Sequence, residues 1–573
     1  MTRAALPPSP FPLPGASAVY LHGRGLASAL GPDLPAALSC LQHGGVEPAA
    51  LEVGPGIVWP YFTINDAAPD WYARARQLVR QAVADCGEVD RSAPLYLASC
   101  SLDVGAVEAG QPFLADCQAF AEVVADWLDW QGPVHWFSSA CSSASNALLS
   151  AARCLRTGDA AHALVLGLEL RNRFTSAGFG AMGLLDTQRP RPLAANRGGL
   201  VLGEAVAALW LGSTPARWRI AGGANVVDGR DAAGAAPEAV ALMTRRALAD
   251  AGLQPGDIGL VKLQAAGSPA NDAAEIAGLR QVFDELPALT TLKAELGHTL
   301  GASGAAELAL LTACLEQDAC PAPRTAPAPE FELALATQAT PRYLLANILG
   351  FGGGHATLLL EDCTRSPDAG HRPESGTGAT NIPGFRCASS GLRNWQILGR
   401  HIGTPLPDWR EQLAARLGYK PRRIGAWAEL ALHGALACLS EAGETTLPAA
   451  ARLWLASLHG PDQALRAALL EARDGQPLPL GFLQSQPNQV LAHLAKALDW
   501  HGDACCVSHR DPLVTLRLAC SGGIEDVLLG WVDEASGRSD WLRLRASDQA
   551  FAPLGDISEL ADPARQGFAL ARG

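Results

Sequence analysis

The 573-residue sequence predicts an α/β fold in two parts, on three observations. Apolar strand-like runs alternate with helical patterns from about residue 18 to 362, the alternation of an α/β domain. A stretch rich in Pro, Gly, Ser and Thr, CTRSPDAGHRPESGTGATNIPG (363–384), then breaks the pattern and reads as a linker. Beyond it, short motifs of the first part return in the same order.

Along the chain, the N-terminal MTRAALPPSPFPLPGASAVY is broken by prolines and lacks an apolar core, so no secretory signal is expected. PLYLAS (94–99) reads as a buried strand, and LDWQG (128–132) precedes PVHWF (133–137), a second. SSACSSASNALL (138–149) follows, with Cys141 at a tight turn between that strand and a helix. The helix, SSASNALLSAARCL, ends at RTGD (156–159), and HALVLGLEL (162–170) is the next buried strand. Pro-rich CPAPRTAPAPE (320–330) reads as an internal loop, because strand-like runs resume after it.

After the linker, RLWLAS (452–457), LDWHG (498–502) and DVLLGWVDE (526–534) repeat PLYLAS, LDWQG and ALVLGLE (163–169). Three matches in order predict a duplicated structural unit. Placing residue 128 on residue 498 sets Cys141 over Asp511, whose Asp-Pro pair is a good helix start without a nucleophile. The expected organisation is a first domain at 1–365, a linker at 366–384 and a degenerate half-domain at 385–573.

Composition narrows the class. With 48% hydrophobic and 18% charged residues the chain is globular, and no run of about 18 uncharged apolar residues predicts a membrane span. Fourteen cysteines are too sparse for a disulfide scaffold and read as reduced thiols of a cytoplasmic protein. A net charge of −13 argues against nucleic acid. An acidic protein partner would need a basic patch such as RNR (171–173) or KPRR (420–423), although both also read as solvated faces. HGDACCVSHRD (501–511) holds two cysteines and two histidines, but adjacent strand residues point oppositely, so no metal is expected, nor any cofactor.

Three segments carry chemistry. Cys141 at a helix start feels the positive end of the helix dipole, which favours thiolate, while a small buried cysteine is the simpler alternative. KAELGHTLGASG (293–304) encloses His298 in small residues, five after Lys293; a histidine in reach of a cysteine is the minimum for activated thiol chemistry. NILGFGGGHA (347–356) sets Phe351 beside Gly352 and Gly353, a pattern that presents backbone N–H groups or simply makes a turn.

With RPLAANRGGLVLGEA (191–205), these motifs stand in an order that resembles the β-ketoacyl-(acyl-carrier-protein) synthase family over residues 18–362. The resemblance implies a thiolase-like domain of two stacked halves in five α/β/α/β/α layers. It implies that Cys141 takes an acyl chain as a thioester, and that the N–H groups of Cys141 and Phe351 form an oxyanion hole. Phe351 would gate the acyl pocket, His298 would polarise a malonyl thioester carbonyl, Lys293 would support the site, and Glu275 would be a structural acid. The implied partners are an acyl carrier protein bearing acyl or malonyl groups and a second ketosynthase in a homodimer or heterodimer.

One family residue is absent. LQAAGSPANDAAE (263–275) carries Ala266 where the first family histidine belongs, and alanine has no proton to exchange. Full condensation is the family's default, and the missing histidine favours the variant in which Cys141 is acylated without elongation, as in ketosynthases of modular polyketide systems that pass acyl chains on unextended. His355 stands where the family often has asparagine and reads as a loop histidine. Residues 385–573 resemble the N-terminal half of the same fold, as in half-domains near aryl-polyene and related polyketide pathways. Such a half should cover its free edge by packing on the first domain. Two other readings compete. A non-catalytic chain-length-factor-like partner would typically replace Cys141, and a degradative thiolase would want a second cysteine near the GGG turn.

Overall fold

The computed structural model describes residues 17–65, 70–230, 234–321, 324–333, 335–336, 338–365, 392–473 and 479–571. The linker expected at 366–384 lies outside the described residues.

Fifteen strands of the main sheet fall into three units of five. The first holds β1 (Val19–Ser28), β2 (Leu95–Ala98), β3 (Val134–Phe137), β4 (His162–Glu169) and β5 (Ala205–Gly212). The second holds β6 (Trp218–Val227), β7 (Ile258–Lys262), β8 (Ala288–Thr290), β9 (Tyr343–Leu349) and β10 (Gly354–Asp362). The third holds β11 (Leu392–His401), β12 (Arg452–Ala456), β13 (Asp503–Ser508), β14 (Asp526–Asp533) and β15 (Arg538–Ser547). Each unit has the sheet order first-fifth-fourth-second-third, with the fifth strand antiparallel to both neighbours and the other pairs parallel. The repeated motifs fall on β2 and β12, just before β3 and β13, and on β4 and β14. The repeated motifs thus fall on equivalent strands, and the second unit has the same strand order without carrying them.

The first two units stack as the five layers that the resemblance implies. Helices α1 (Trp71–Ala84) and α2 (Cys117–Trp127) cover the outer face of the first sheet. Helix α3 (Ser143–Arg156) packs on strands of both sheets, and is buried at 12 of its 14 residues. Two more helices, α4 (Arg173–Ala181), capped by Asn172, and α5 (Pro237–Ala251), follow; α5 and α6 (Pro269–Leu279) cover the second sheet from outside. Helix α7 (Ser303–Leu315) lies beside α3 in the middle layer, with every residue buried. A helix apolar all round needs walls on both sides, and two sheets supply them.

In the third unit, α8 (Ala426–Glu441) packs on β11, β14 and β15. Three helices lie between β12 and β13: α9 (Asp462–Arg473), α10 (Pro479–Gln484) and α11 (Gln489–Ala497). Helix α12 (Pro512–Ala519) stands where α3 stands in the first unit, and the Asp511 carboxylate caps it by accepting the Leu513 N–H at 2.8 Å. A last strand, β16 (Gly567–Ala571), pairs with β11 as β6 pairs with β1, and so covers the edge left by the missing second half. Among the described residues no helix is long and apolar enough to cross a membrane.

The first and third units meet strand to equivalent strand. β3 pairs antiparallel with β13, Phe137 opposite Val507 and Trp136 opposite Ser508, and the Ser138 N–H donates to the Cys506 carbonyl at 3.1 Å. Third strand against third strand is a local two-fold, the geometry of an isologous dimer within one chain. Behind this seam Asp503 accepts from Arg153 of α3 at 2.7 Å, Arg452 of β12 at 3.2 Å and Asn225 of β6 at 3.3 Å. Burial alone would raise its pKa, but the two guanidinium groups outweigh burial and hold it below the usual value.

Asp503→Ala leaves Arg452 buried without its carboxylate, and should cost about 3–5 kcal/mol in denaturant unfolding. A carboxylate with a depressed folded pKa stabilises fully above the unfolded value, about 4, and loses that contribution as pH falls further. The stability difference between wild type and Asp503→Ala should therefore shrink below about pH 4.

Candidate active site

The SSACSS run makes a buried turn whose backbone is satisfied by its own serines. The Ser143 hydroxyl donates to the Ala140 carbonyl at 2.6 Å and accepts from the Ser139 N–H at 2.8 Å; the Ser142 hydroxyl donates to the Ser139 carbonyl at 2.8 Å. Ala140 takes a left-handed φ of 53°, which turns the chain sharply from β3 into α3 and aims Cys141 inward. Cys141 is 4% exposed. The backbone N–H groups of Phe351 and of Cys141 itself act on its sulfur, each working to lower its pKa.

Phe351 sits on the turn between β9 and β10. Gly352 and Gly353, at φ 81° and 73°, make that turn, and a Cβ on Gly353 would lie 1.8 Å from the Asp228 carbonyl oxygen. The glycines are therefore needed for the turn as well as for presenting the Phe351 N–H.

His298 is fixed through its backbone, its N–H donating to the Val201 carbonyl at 2.7 Å and its carbonyl accepting from Gly203 at 3.1 Å. Its Nε2 lies 3.1 Å from the Cys141 sulfur. On the other side, Nδ1 faces the Lys293 Nζ at 3.2 Å and accepts from the Leu300 N–H at 3.3 Å. Lys293 Nζ donates to the Ser303 hydroxyl at 2.9 Å and to Glu307, which also takes Lys262 Nζ at 2.5 Å. Lys262, at the end of β7, reaches the Asn347 carbonyl at 2.6 Å.

Two lysines around one glutamate leave net positive charge beside the imidazole. Burial, then Lys293 and Lys262, hold the His298 pKa well below its usual value, so the ring is neutral. With Nδ1 receiving donors, the network assigns the remaining proton to Nε2, which points at Cys141. His298 is thus a hydrogen-bond donor toward the sulfur and not a base poised to take its proton. The sequence reading of Cys141 as thiolate is also corrected. Burial raises its pKa, and the Phe351 N–H and Lys293 offset this only in part. The free cysteine is a thiol at neutral pH.

Glu275 accepts the N–H groups of Gln264 and Ala265, both at 2.9 Å, and the Asn347 side chain at 3.2 Å; burial pushes its pKa up to about 7. That is a structural part, holding β7 to β9 behind the site. Ala266 is pinned by its N–H to Asp272 at 3.1 Å, and no ring occupies its place. His355 is not on a loop. It opens β10, between Leu349 and Val226, fully buried, with the charges of Asp228 and Arg230 acting on it and its pKa lowered to about 4 chiefly by burial. Cys505 and Cys506 diverge, to the Ser139 hydroxyl at 3.3 Å and the Pro487 carbonyl at 3.5 Å. Sequence reasoning missed Lys262, Glu307 and Glu169. The last is pushed up to about 7 by burial, and accepts from Ser101 and Cys100 below the nucleophile.

Two cavities meet at Cys141 and Phe351. One is lined by Val104, Phe174, Phe179 and Leu300 together with residues of the third unit. The other is lined by Leu184, Leu200, Ala266, Asn271 and His298. A thiol, two converging N–H groups and a neutral imidazole donor at such a junction suit attack on an acyl carbonyl.

Residues 107–215 match the model of the β-ketoacyl synthase N-terminal domain and residues 219–325 that of the β-ketoacyl synthase C-terminal domain. A 3-oxoacyl-[acyl-carrier-protein] synthase 2 of Staphylococcus aureus (strain COL) is 28% identical over 278 residues, 44% of this chain, and the chain spans 66% of that relative's length. The lovastatin diketide synthase mokB of Monascus pilosus is 30% identical over 267 residues, 42% of this chain and 10% of its own. Among solved structures, the PfaC keto synthase-chain length factor matches 94% of this chain and 79% of its own, with a TM-score of 0.70 at 15% identity. A chain of the ketosynthase (ApeO) in complex with its chain length factor (ApeC) from Xenorhabdus doucetiae matches 60% of this chain and 98% of its own (TM-score 0.52, 23% identity).

A thiol with a raised pKa should alkylate with iodoacetamide about tenfold faster per pH unit from 7 to 9, measured on the Cys141 peptide by mapping after quench and digestion. Lys293→Met, which removes a nearby positive charge, should slow Cys141 further at every pH in that range. A wild-type plateau at or below pH 8 would contradict the assignment.

Proposed function

This chain belongs to the β-ketoacyl synthase family, and from that premise we propose that Cys141 accepts an acyl group from a carrier-protein thioester and holds it without extending it. The observation that carries the proposal is the Cys141 sulfur at the junction of two cavities, beneath the N–H groups of Cys141 and Phe351 and 3.1 Å from His298 Nε2.

In this reading the acyl chain enters the larger cavity and its thioester carbonyl reaches Cys141. The sulfur attacks the carbonyl carbon, and the oxyanion forms where the two N–H groups converge. The carbon–sulfur bond to the carrier breaks, and the Cys141 proton ends on the departing thiol. A raised thiol pKa lowers the thiolate fraction that attacks, so the exchange draws its rate from the stabilised oxyanion and not from a standing thiolate.

The second cavity is where a malonyl group would approach. His298 donates from Nε2 to one carbonyl there, but Ala266 offers no second donor. The imidazole that the family places at Ala266 is missing from this cavity, which Gln264 also lines, and that loss supports transfer without condensation. The second reading is a chain-length-factor-like partner without chemistry, favoured by likeness to ketosynthase–chain length factor structures. The retained Cys141, at the junction of two apolar-walled cavities, favours the enzyme.

Intact-mass spectrometry with octanoyl-carrier protein should give an octanoyl adduct, absent in Cys141→Ala. Malonyl-carrier protein should release no CO2 above background, and Ala266→His should raise that release by about tenfold or more. No adduct on the wild type would end the acyl-transfer reading; CO2 release by the wild type would end the transfer-only part.

A further inference from the structure

The second cavity holds a polar group that the loading of Cys141 does not use. Gln264, just after β7, lines this cavity together with Cys141 and His298, and is 6% exposed. Its backbone is fixed by Glu275, which accepts its N–H at 2.9 Å. Its side-chain nitrogen lies 3.4 Å from His298 Nε2, and its side-chain oxygen is buried without a partner. Both nitrogens carry protons, so their contact pairs neither, and the amide oxygen is left for a donor that the protein does not supply.

The rest of the lining narrows what that donor is. Among the described residues around this cavity none is a lysine or an arginine, and the acids are Asp272 and Glu275. An anionic acceptor would meet their charge with no cation to offset it. Neither carboxylate is free to serve as a base. Asp272 accepts the N–H groups of Leu193, Ala266 and Gly267 at 2.9, 3.1 and 3.2 Å. Glu275 accepts those of Gln264 and Ala265 and the Asn347 amide. His298 Nε2 already carries its proton. A hydroxyl or a water needs a base to attack a thioester, whereas an amine attacks through its own lone pair.

We propose that the second cavity takes a small primary amine, and that the acyl group on Cys141 passes to its nitrogen as an amide. An amine N–H donates to the Gln264 oxygen, which holds the nitrogen beside the acyl carbon. The carbon–nitrogen bond forms while the oxyanion rests against the N–H groups of Cys141 and Phe351. The carbon–sulfur bond then breaks, and one amine proton ends on the Cys141 sulfur, which burial favours as a thiol. The proposal rests on the reading of Cys141 as an acyl acceptor, and names the class of molecule that relieves it of the chain.

The test uses the full chain acylated with p-nitrophenyl octanoate, which loads thiols without a carrier protein. Loss of octanoyl from the Cys141 peptide is followed after acid quench and pepsin digestion, with n-butylamine, n-butanol or buffer alone. Cys141→Ala carried through the same steps gives the background. N-butyl octanamide should form about tenfold or more above that background and saturate with amine. Butanol and buffer should leave the adduct in place. Gln264→Leu should slow amide formation about tenfold, and Gln264→Ala similarly, so one folding failure leaves the test intact. Amide formation within about twofold of background, or an ester formed as fast, overturns the proposal, as do folded Gln264 variants within about twofold of wild type. If carrier thioesters never load Cys141 but the ester-loaded enzyme forms the amide, the amine site stands and the carrier-protein reading falls. If carrier thioesters load and no amide forms, the reverse holds.

Discussion

The strand that leads into the nucleophile is an edge strand of its own unit, and its free backbone groups must be paired. β13 pairs them, and the Ser138 N–H to Cys506 carbonyl bond comes three residues before Cys141. Much else in the molecule follows from this seam. It fixes the local two-fold between the first and third units, and sets Asp503 between Arg153 and Arg452. It also lays α9 and α10 over the cavity behind the sulfur. A third unit that lacks its own nucleophile, with Asp511 as a plain helix cap, is kept because its strand and its added helices complete the first.

At the site itself, electrostatics decides the chemistry. One glutamate shared by Lys262 and Lys293 leaves positive charge against His298 Nδ1, which keeps the ring neutral and its Nε2 a donor. A neutral donor and two backbone N–H groups favour a carbonyl that becomes an oxyanion. The same burial that raises the thiol pKa strengthens those hydrogen bonds, because little water competes.

Much of this was legible in the sequence. The order of four motifs brings Cys141, His298 and Lys293, spread over more than 150 residues, into one hydrogen-bonded chain. The LDW-x-G repeat fell before equivalent strands. Lys262 and Glu307 were not legible, because a lone lysine ending a strand and a glutamate in an apolar helix acquire meaning only when β7 and α7 are packed together. The thiolate expectation weighed the helix dipole and could not weigh burial. His355 sits just after a glycine run that resembles a loop, yet β6 and β9 pair on both sides of it. Helices α9 and α10 were hidden for a different reason: they have no counterpart in the first unit, so the repeat had nothing to match.

The most direct measurement of the central claim, one acyl site made by two units, is photo-crosslinking from an acyl chain loaded on Cys141 that carries a terminal diazirine. After irradiation and peptide mapping, the account predicts crosslinks to third-unit residues that line the cavity, such as Leu465 and Pro487. Crosslinks confined to the first and second units, with Cys141 loaded, would contradict it.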